Sequence, residues 1–260
     1  MLVDTHAHLD LPEFDADREA VLDRARQAGV GAIVCPALHA ASSEAVVRLA
    51  ASGENLFAAV GIQPNYCAEA RPGDWERVVA LAAEPRVVAI GETGLDRHWD
   101  FAPLALQQDF FGRHLRLAHE RNLPLVIHCR DAEAEVLAML REAAGWGPVR
   151  GVLHAFSGDS KFAEQLVALG LYISFAGSVS YTNKKFELLR QAAAAVPEDR
   201  ILVETDSPYL VPHALRGKEK RNEPAHLLLT AQALAELRGQ TLDALVAQTT
   251  ANARQLFAFE

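Results

Sequence analysis

Cysteine is scarce in this chain: three residues, Cys35, Cys67 and Cys129, in 260. An odd, sparse set with no framework spacing excludes a disulfide-stapled fold and leads us to expect a reducing compartment. Long apolar runs are also missing. No stretch approaches the roughly 20 residues of a membrane span, and no basic segment followed by an apolar one opens the chain. The expectation is a soluble, cytoplasmic protein with no membrane partner. Positive charge is in deficit, with 25 Lys and Arg against 34 Asp and Glu and a net charge of −9. That excludes a general nucleic-acid coat, so any polyanionic substrate must be held locally, by metal ions and a few basic side chains. There is no low-complexity linker, composition break or close internal repeat, and residues 1–260 read as one domain.

What the chain does have is a regular alternation. Short apolar, β-branched runs occur at residues 2–5, 32–35, 57–61, 87–91, 125–128, 151–154, 171–175 and 201–204. Stretches of helical period lie between and after them, at 19–28, 43–51, 75–83, 104–121, 132–143, 160–169, 184–195, 224–237 and 242–257. Gly29 and Gly170 follow two of these directly, the expected stop signal. Eight strand-loop-helix units in about 250 residues describe an α/β protein, a single (β/α)8 TIM barrel. The competing doubly wound sheet would more often carry a glycine-rich phosphate loop after its first strand; here His6-Ala7-His8 stands in that place.

In a barrel the reactive groups gather at the C-terminal strand ends. His6 and His8 lie at the end of the first strand, spaced so that both point to one face, with Cα atoms about 7 Å apart. Glu92 follows the fourth strand, His128 ends the fifth, His154 the sixth, and Asp206 follows the eighth. Each has an ordinary reading alone. His6 and His8 suit a frayed terminus, Glu92 a turn or cap, His128 and His154 the core or rim, and Asp206 the N-cap of the Ser207-Pro208 turn. Together they place four of ten histidines and two carboxylates at one barrel mouth. A mixed His/carboxylate set suits Zn²⁺, Mn²⁺, Co²⁺ or Ni²⁺, with Mg²⁺ suited where carboxylates and phosphate dominate. Six ligands exceed what one catalytic ion with an open position takes, so two divalent ions bridged by a carboxylate fit better.

Five blocks now stand in order along the chain: Asp4-Thr5-His6-Ala7-His8-Leu9-Asp10, Gly91-Glu92-Thr93-Gly94-Leu95-Asp96, His128-Cys129-Arg130-Asp131-Ala132, Glu204-Thr205-Asp206-Ser207-Pro208-Tyr209-Leu210 and Arg221-Asn222-Glu223-Pro224. From residue 3 to about 257 the chain resembles the TatD-type metal-dependent deoxyribonucleases, of the amidohydrolase-like hydrolases. The resemblance implies a (β/α)8 barrel that hydrolyses DNA phosphodiesters, often as a 3′→5′ exonuclease, on single-stranded or end-frayed DNA. It implies that His6, His8 and Asp206 hold one metal, that His128 and His154 hold a second, and that Glu92 bridges both, the ions being Zn, Mn or Mg. Asp206 would also be the general base toward a metal-activated water. A monomer is expected.

Basic side chains are the candidates for substrate contact. Arg130 has a planar fork suited to a phosphate oxygen, and equally suited to an ion pair with Asp131 or a neighbouring helix. Lys218 and Arg221 belong to the basic segment 216–221 after the eighth strand; a solvated loop accounts equally well for most of its side chains. Arg221-Asn222-Glu223-Pro224 also reads as a helix start braced through Glu223. Three positions depart from the family pattern. Gln63 stands where relatives commonly carry histidine, Arg97 where an aromatic is usual, and Ala155 where a cysteine often follows the histidine. Gln63 cannot titrate as an imidazole does, which puts that group's role toward substrate in question. The same ligands would serve another ester, such as a D-aminoacyl-tRNA or a small phosphoester, since fold and site do not fix the substrate. A non-catalytic barrel would require a lost ligand, and none is lost.

Overall fold

In the computed structural model, which describes residues 1–259, eight parallel strands follow one another in chain order around one sheet. They are β1 (Leu2–Asp4), β2 (Val30–Pro36), β3 (Leu56–Val60), β4 (Val87–Asp96), β5 (Leu125–Arg130), β6 (Gly151–Leu153), β7 (Tyr172–Phe175) and β8 (Ile201–Val203). The helices between them are α1 (Arg18–Gln27), α2 (Ala40–Ser52), α3 (Asp74–Leu81), α4 (Leu104–Arg121), α5 (Glu133–Ala143), α6 (Ser160–Ala168) and α7 (Glu187–Ala195). After β8 come α8 (Leu227–Arg238) and α9 (Leu242–Phe257). This is the (β/α)8 barrel expected from the alternation. Strand side chains of one parity, among them Ile33, Cys35, Val60, Leu125, Ile127 and Val203, pack under the helices. Those of the other parity, among them Val3, Val34, Ala59, Val126, Val152 and Leu202, form a second cluster inside the barrel. The end of α9 and the residues after it join this inner cluster through Leu256, Phe257 and Phe259, which stop the N-terminal end. The C-terminal mouth is therefore the open one.

The seam between β8 and β1 is closed by the segments that carry the predicted ligands. Thr5 N–H donates to Val203 O at 3.3 Å, Asp206 N–H to His6 O at 2.9 Å, and His8 N–H to Ser207 O at 2.8 Å. Ala7 and Ser207 form an isolated parallel bridge. β1 itself ends at Asp4, so strand pairing proper does not reach His6 and His8. The bridge at Ala7 keeps the chain extended there and leaves the two histidines on one side.

β4 differs most from the sequence expectation. It runs through Gly91 to Asp96 with all ten residues buried, rather than stopping at residue 91. Ile90 pairs with Leu125 and Thr93 with Ile127, so Gly91 and Glu92 together oppose Val126 alone. That extra residue is a bulge, which re-aims a side chain. Gly91 has φ 152°, and a Cβ there would lie 2.6 Å from Val126 O, so the bulge requires glycine. Farther along, a Cβ on Gly94 would meet His128 O at 2.0 Å, and only glycine lets β4 pass this close to the ligand on β5. Two expected helices start with a tighter turn, at Lys184–Phe186 and Pro224–His226, before α7 and α8. A short helical turn at Pro64–Glu69, absent from the sequence expectation, begins at Gln63.

Candidate metal centre

The bulge at Gly91–Glu92 puts the Glu92 carboxylate in the middle of the mouth. Its Oε2 lies 3.3 Å from His6 Nε2 and 3.6 Å from His8 Nε2. Its Oε1 lies 3.0 Å from His128 Nδ1 and 3.2 Å from His154 Nε2. Each oxygen thus faces one histidine pair. The nitrogens within the pairs are 3.1 Å apart for His6 and His8 and 3.3 Å apart for His128 and His154. Asp206 Oδ1 completes the first side, 3.8 Å from His6 Nε2 and 3.7 Å from His8 Nε2. The structure therefore brings all six predicted ligands together.

The donor set fits divalent cations. Ligand atoms about 2.1 Å from an ion stand about 3.0–3.4 Å from one another in octahedral or tetrahedral geometry. The separations within the two pairs match that edge. One ligand atom each from His6, His8 and Asp206 fall within 4.8 Å of one another, as do those from His6, Glu92 and His154. Glu92 Oε2, His6 Nδ1, His154 Nδ1 and Glu204 Oε2 are buried without hydrogen-bond partners. Such atoms are costly unless something else satisfies them, and for Glu92 Oε2 a bound cation would do so.

Neighbours set which nitrogen is free in the His8 and His128 rings. His8 Nδ1 is 3.3 Å from Pro36 O, an acceptor that calls for an N–H and leaves Nε2 as the lone pair. His128 Nε2 is 2.8 Å from Asp96 Oδ2, which leaves Nδ1 toward Glu92. Glu204 Oε1 stands 3.6 Å from His154 Nδ1 and accepts the Ala155 N–H at 2.6 Å. Carboxylates and carbonyls behind ligating histidines fix tautomer and orientation in this way. Asp4 ties two ligand segments together. Its Oδ1 accepts from Thr205 N–H at 2.9 Å and from His6 N–H at 3.3 Å, and its Oδ2 from Thr205 Oγ1 at 2.6 Å.

Burial dominates the electrostatics. It pushes the His6 imidazole down to about 4, favouring the neutral ring that binds metal. It pushes the Asp4 carboxyl up to about 7 in spite of the Thr205 bonds. Burial would also raise Glu92, but His154, His128 and His6 hold it well below the usual carboxylate range. Asp206 is driven well above that range by burial, with Glu204 and Glu92 adding to the effect. Glu92, Glu204 and Asp206 put three buried carboxyl groups at one mouth, an acidic set whose ionised form bound cations would stabilise.

Asp206 occupies a left-handed backbone position, φ 53°, which Asp and Asn tolerate better than most residues. The segment is held by Asn222, fully buried, whose Nδ2 donates to Thr205 O at 2.8 Å. Glu223 accepts from Arg24 Nε and Nη2 at 2.8 and 2.7 Å. The 221–224 block is thus an architectural brace, as its helix-start reading suggested.

The four predicted substrate contacts lie in different settings. Arg221 makes a bidentate pair with Asp17, at 2.8 Å for both bonds, and its guanidinium lies over the Phe14 ring. In that position it ties the β8 loop to the start of α1. Lys218 is exposed, with Nζ donating to Ala214 O at 3.3 Å. Gln63 is buried, and its Oε1 accepts the Asn65 N–H at 2.8 Å, capping the 64–69 turn. Arg130 is exposed at the mouth end of β5. Asp131 pairs with His98 instead, and no carboxylate among the described residues pairs with Arg130. Sequence reasoning gave no role to Asp4, Asp96 or Glu204. Asp4 and Glu204 each lie two residues before a ligand on an extended segment, the spacing that shares a face.

Comparison with known proteins points the same way. The family model described as TatD related DNase matches residues 3–258. The chain is 37% identical over 257 residues to the uncharacterized metal-dependent hydrolase YabD of Bacillus subtilis, covering 99% of each. It is 35% identical over 261 residues to the 3′-5′ ssDNA/RNA exonuclease TatD of Klebsiella pneumoniae, covering 100% of this chain and 98% of the other. The crystal structure of YJJV, a TatD homologue from Escherichia coli K12, superposes with a TM-score of 0.92 at 32% identity, covering 100% and 98% of the two chains.

Proposed function

The chain belongs to the TatD-related DNase family of metal-dependent hydrolases, and from that premise we propose that it is a 3′→5′ exonuclease acting on single-stranded or frayed DNA with two divalent ions. One observation carries this reading: Glu92 turns one oxygen to the His6/His8 pair and the other to the His128/His154 pair, at 3.0–3.6 Å throughout. A carboxylate so placed would serve two ions. His6, His8 and Asp206 would hold one of them, and His128 and His154 the other. Bound there, Zn²⁺, Mn²⁺ or Mg²⁺ supplies a Lewis acid for the phosphoryl oxygens and an acidified water as nucleophile.

The chain's own groups do the rest. Asp206 has a side chain 12% exposed, against 0% for His6 and 3% for Glu92, so it borders the solvent that the attacking water comes from. Its carboxylate takes that water's proton as general base. Asp96 and Pro36 O keep His128 and His8 in orientation, and Glu204 stands behind His154 at 3.6 Å. Arg130, which has no carboxylate partner among the described residues, is the side chain that would meet the phosphate backbone.

The test is incubation of metal-loaded protein with single- and double-stranded DNA labelled at the 5′ end. Progressive shortening from the 3′ end, faster on single strands, is expected. An intact label ladder under Mg²⁺, Mn²⁺ and Zn²⁺ alike would overturn the nuclease reading and leave the hydrolase to another ester.

A further inference from the structure

The loop after β4 carries an aromatic surface that no step above uses. Trp99 and Phe101 are 46% and 61% exposed, and their rings stack with centroids 5.6 Å apart and planes 19° off parallel. The Arg130 guanidinium lies over the Trp99 ring, 5.6 Å from its centroid. Two large exposed aromatics side by side are unusual on a folded surface and mark a contact site. Their position is tied to the metal centre by one carboxylate. Asp96 Oδ2 is 2.8 Å from the ligand ring of His128, while Asp96 Oδ1 accepts the N–H of His98 at 2.9 Å and of Trp99 at 3.1 Å.

We propose that Trp99, Phe101 and Arg130 form a nucleobase-stacking subsite on the rim of the mouth, which takes a base of the single-stranded nucleic acid whose backbone enters the metal centre. The proposal rests on the nuclease reading and deepens it. Aromatic rings and an unpaired guanidinium are the chemistry that single strands select: every base has a π-face to stack, and arginine serves both stacking and phosphate. Charge in the loop is arranged accordingly. Arg97 pairs with Glu135 at 2.7 Å and Asp131 Oδ2 lies 3.2 Å from His98 Nδ1, while Arg130 has no carboxylate partner among the described residues. Asp100 has no cationic partner among the described residues, so attraction for the strand comes from Arg130 and the rings rather than from net charge. A duplex keeps its bases stacked on one another, so only a single strand or a frayed end offers one to this surface.

The test compares wild type with Trp99→Ala, Phe101→Ala and Trp99→Phe on two substrates: a single-stranded oligonucleotide and an abasic oligomer of the same length. Trp99→Ala is expected to raise KM for the base-bearing strand by roughly 5- to 150-fold, the loss of one base–aromatic stack. The KM ratio between abasic and base-bearing strands falls toward one in Trp99→Ala and Phe101→Ala, and Trp99→Phe, which keeps a ring, restores it. Binding of the same oligomers to Asp206→Asn protein, followed by fluorescence polarisation, reads the subsite without turnover. Wild-type cleavage with an unchanged ratio in both alanine variants overturns the subsite and leaves the nuclease reading standing. Base-dependent binding by the Asp206→Asn protein together with no cleavage by metal-loaded wild type upholds the subsite and overturns the nuclease chemistry.

Discussion

Replacing Asp96 by asparagine should weaken the ion site of His128 without unfolding the barrel. Asp96 lies at the end of β4, and its carboxyl is held down at about 2; burial alone would raise it, but the bonds from His128 and the Trp99 amide outweigh that. Two backbone N–H groups, of His98 and Trp99, point at Oδ1. An asparagine at this position keeps its carbonyl oxygen on them, because the alternative sets an NH₂ against two donors. Its amide nitrogen then faces His128 Nε2, which Asp96 Oδ2 contacts at 2.8 Å. A donor there requires Nε2 to be the lone pair, and the ring proton moves to Nδ1. Nδ1 is the atom 3.0 Å from Glu92 Oε1, so the proton stands where the ion belongs. The amide also meets Asn65 Nδ2, 3.2 Å away in the wild type, as a second donor. Loss of a partner behind a ligating histidine typically weakens metal binding about 10- to 100-fold, or about 1.4–2.7 kcal/mol. Titration against a competing chelator reads this directly: one ion should bind as in wild type and the other should weaken by that factor. Unchanged affinity for both would refute the tautomer argument.

Three further outcomes follow from the same geometry. Asp206→Asn should abolish hydrolysis while the circular-dichroism melt moves little, since the main-chain bond to His6 O is kept; full activity would remove Asp206 as base. Glu92→Gln should cost at least one bound ion by elemental analysis, because a neutral amide cannot bridge as a carboxylate does; two tightly bound ions in that variant would contradict the bridge. His114, fully buried on α4, accepts the Ile62 N–H at 2.9 Å, and burial holds its imidazole down at about 4 against 6.5 for a free ring. Above pH 6.5 both folded and unfolded rings are neutral; as pH falls from there toward 4 the unfolded chain takes up a proton that the fold refuses, and about 3 kcal/mol of stability is lost. Urea midpoints measured across that window should fall less steeply in His114→Gln, and equal slopes would exclude His114 as the group responsible.

The fold and the candidate ligands stood out in the sequence for different reasons. Alternating apolar runs and helical stretches repeat throughout the chain, so even imprecise boundaries yield eight units. The candidate ligands stood out because each follows an apolar run, where a barrel gathers its chemistry. What the sequence hid was how three of them, Glu92, His6 and His8, reach the mouth. Strict alternation from Ala89, which faces inward, would turn Glu92 toward the helices; the bulge at Gly91 reverses this, and only the pairing of Ile90 and Thr93 with β5 reveals it. His6 and His8 were read as a strand end, yet the strand stops at Asp4 and a bridge to Ser207 aligns them. Ion pairing across the fold is also invisible in one dimension. Arg221 and Arg130 look alike as basic residues near strand ends, but Asp17 sits 204 residues from Arg221 and takes its guanidinium, while Asp131, beside Arg130 in sequence, turns to His98. For Arg130 the residue nearest in sequence was the wrong guide to the partner. Among the described residues Arg130 keeps no carboxylate partner, and it lies over the Trp99 ring on the side of the mouth where Asp96 fixes the aromatic loop.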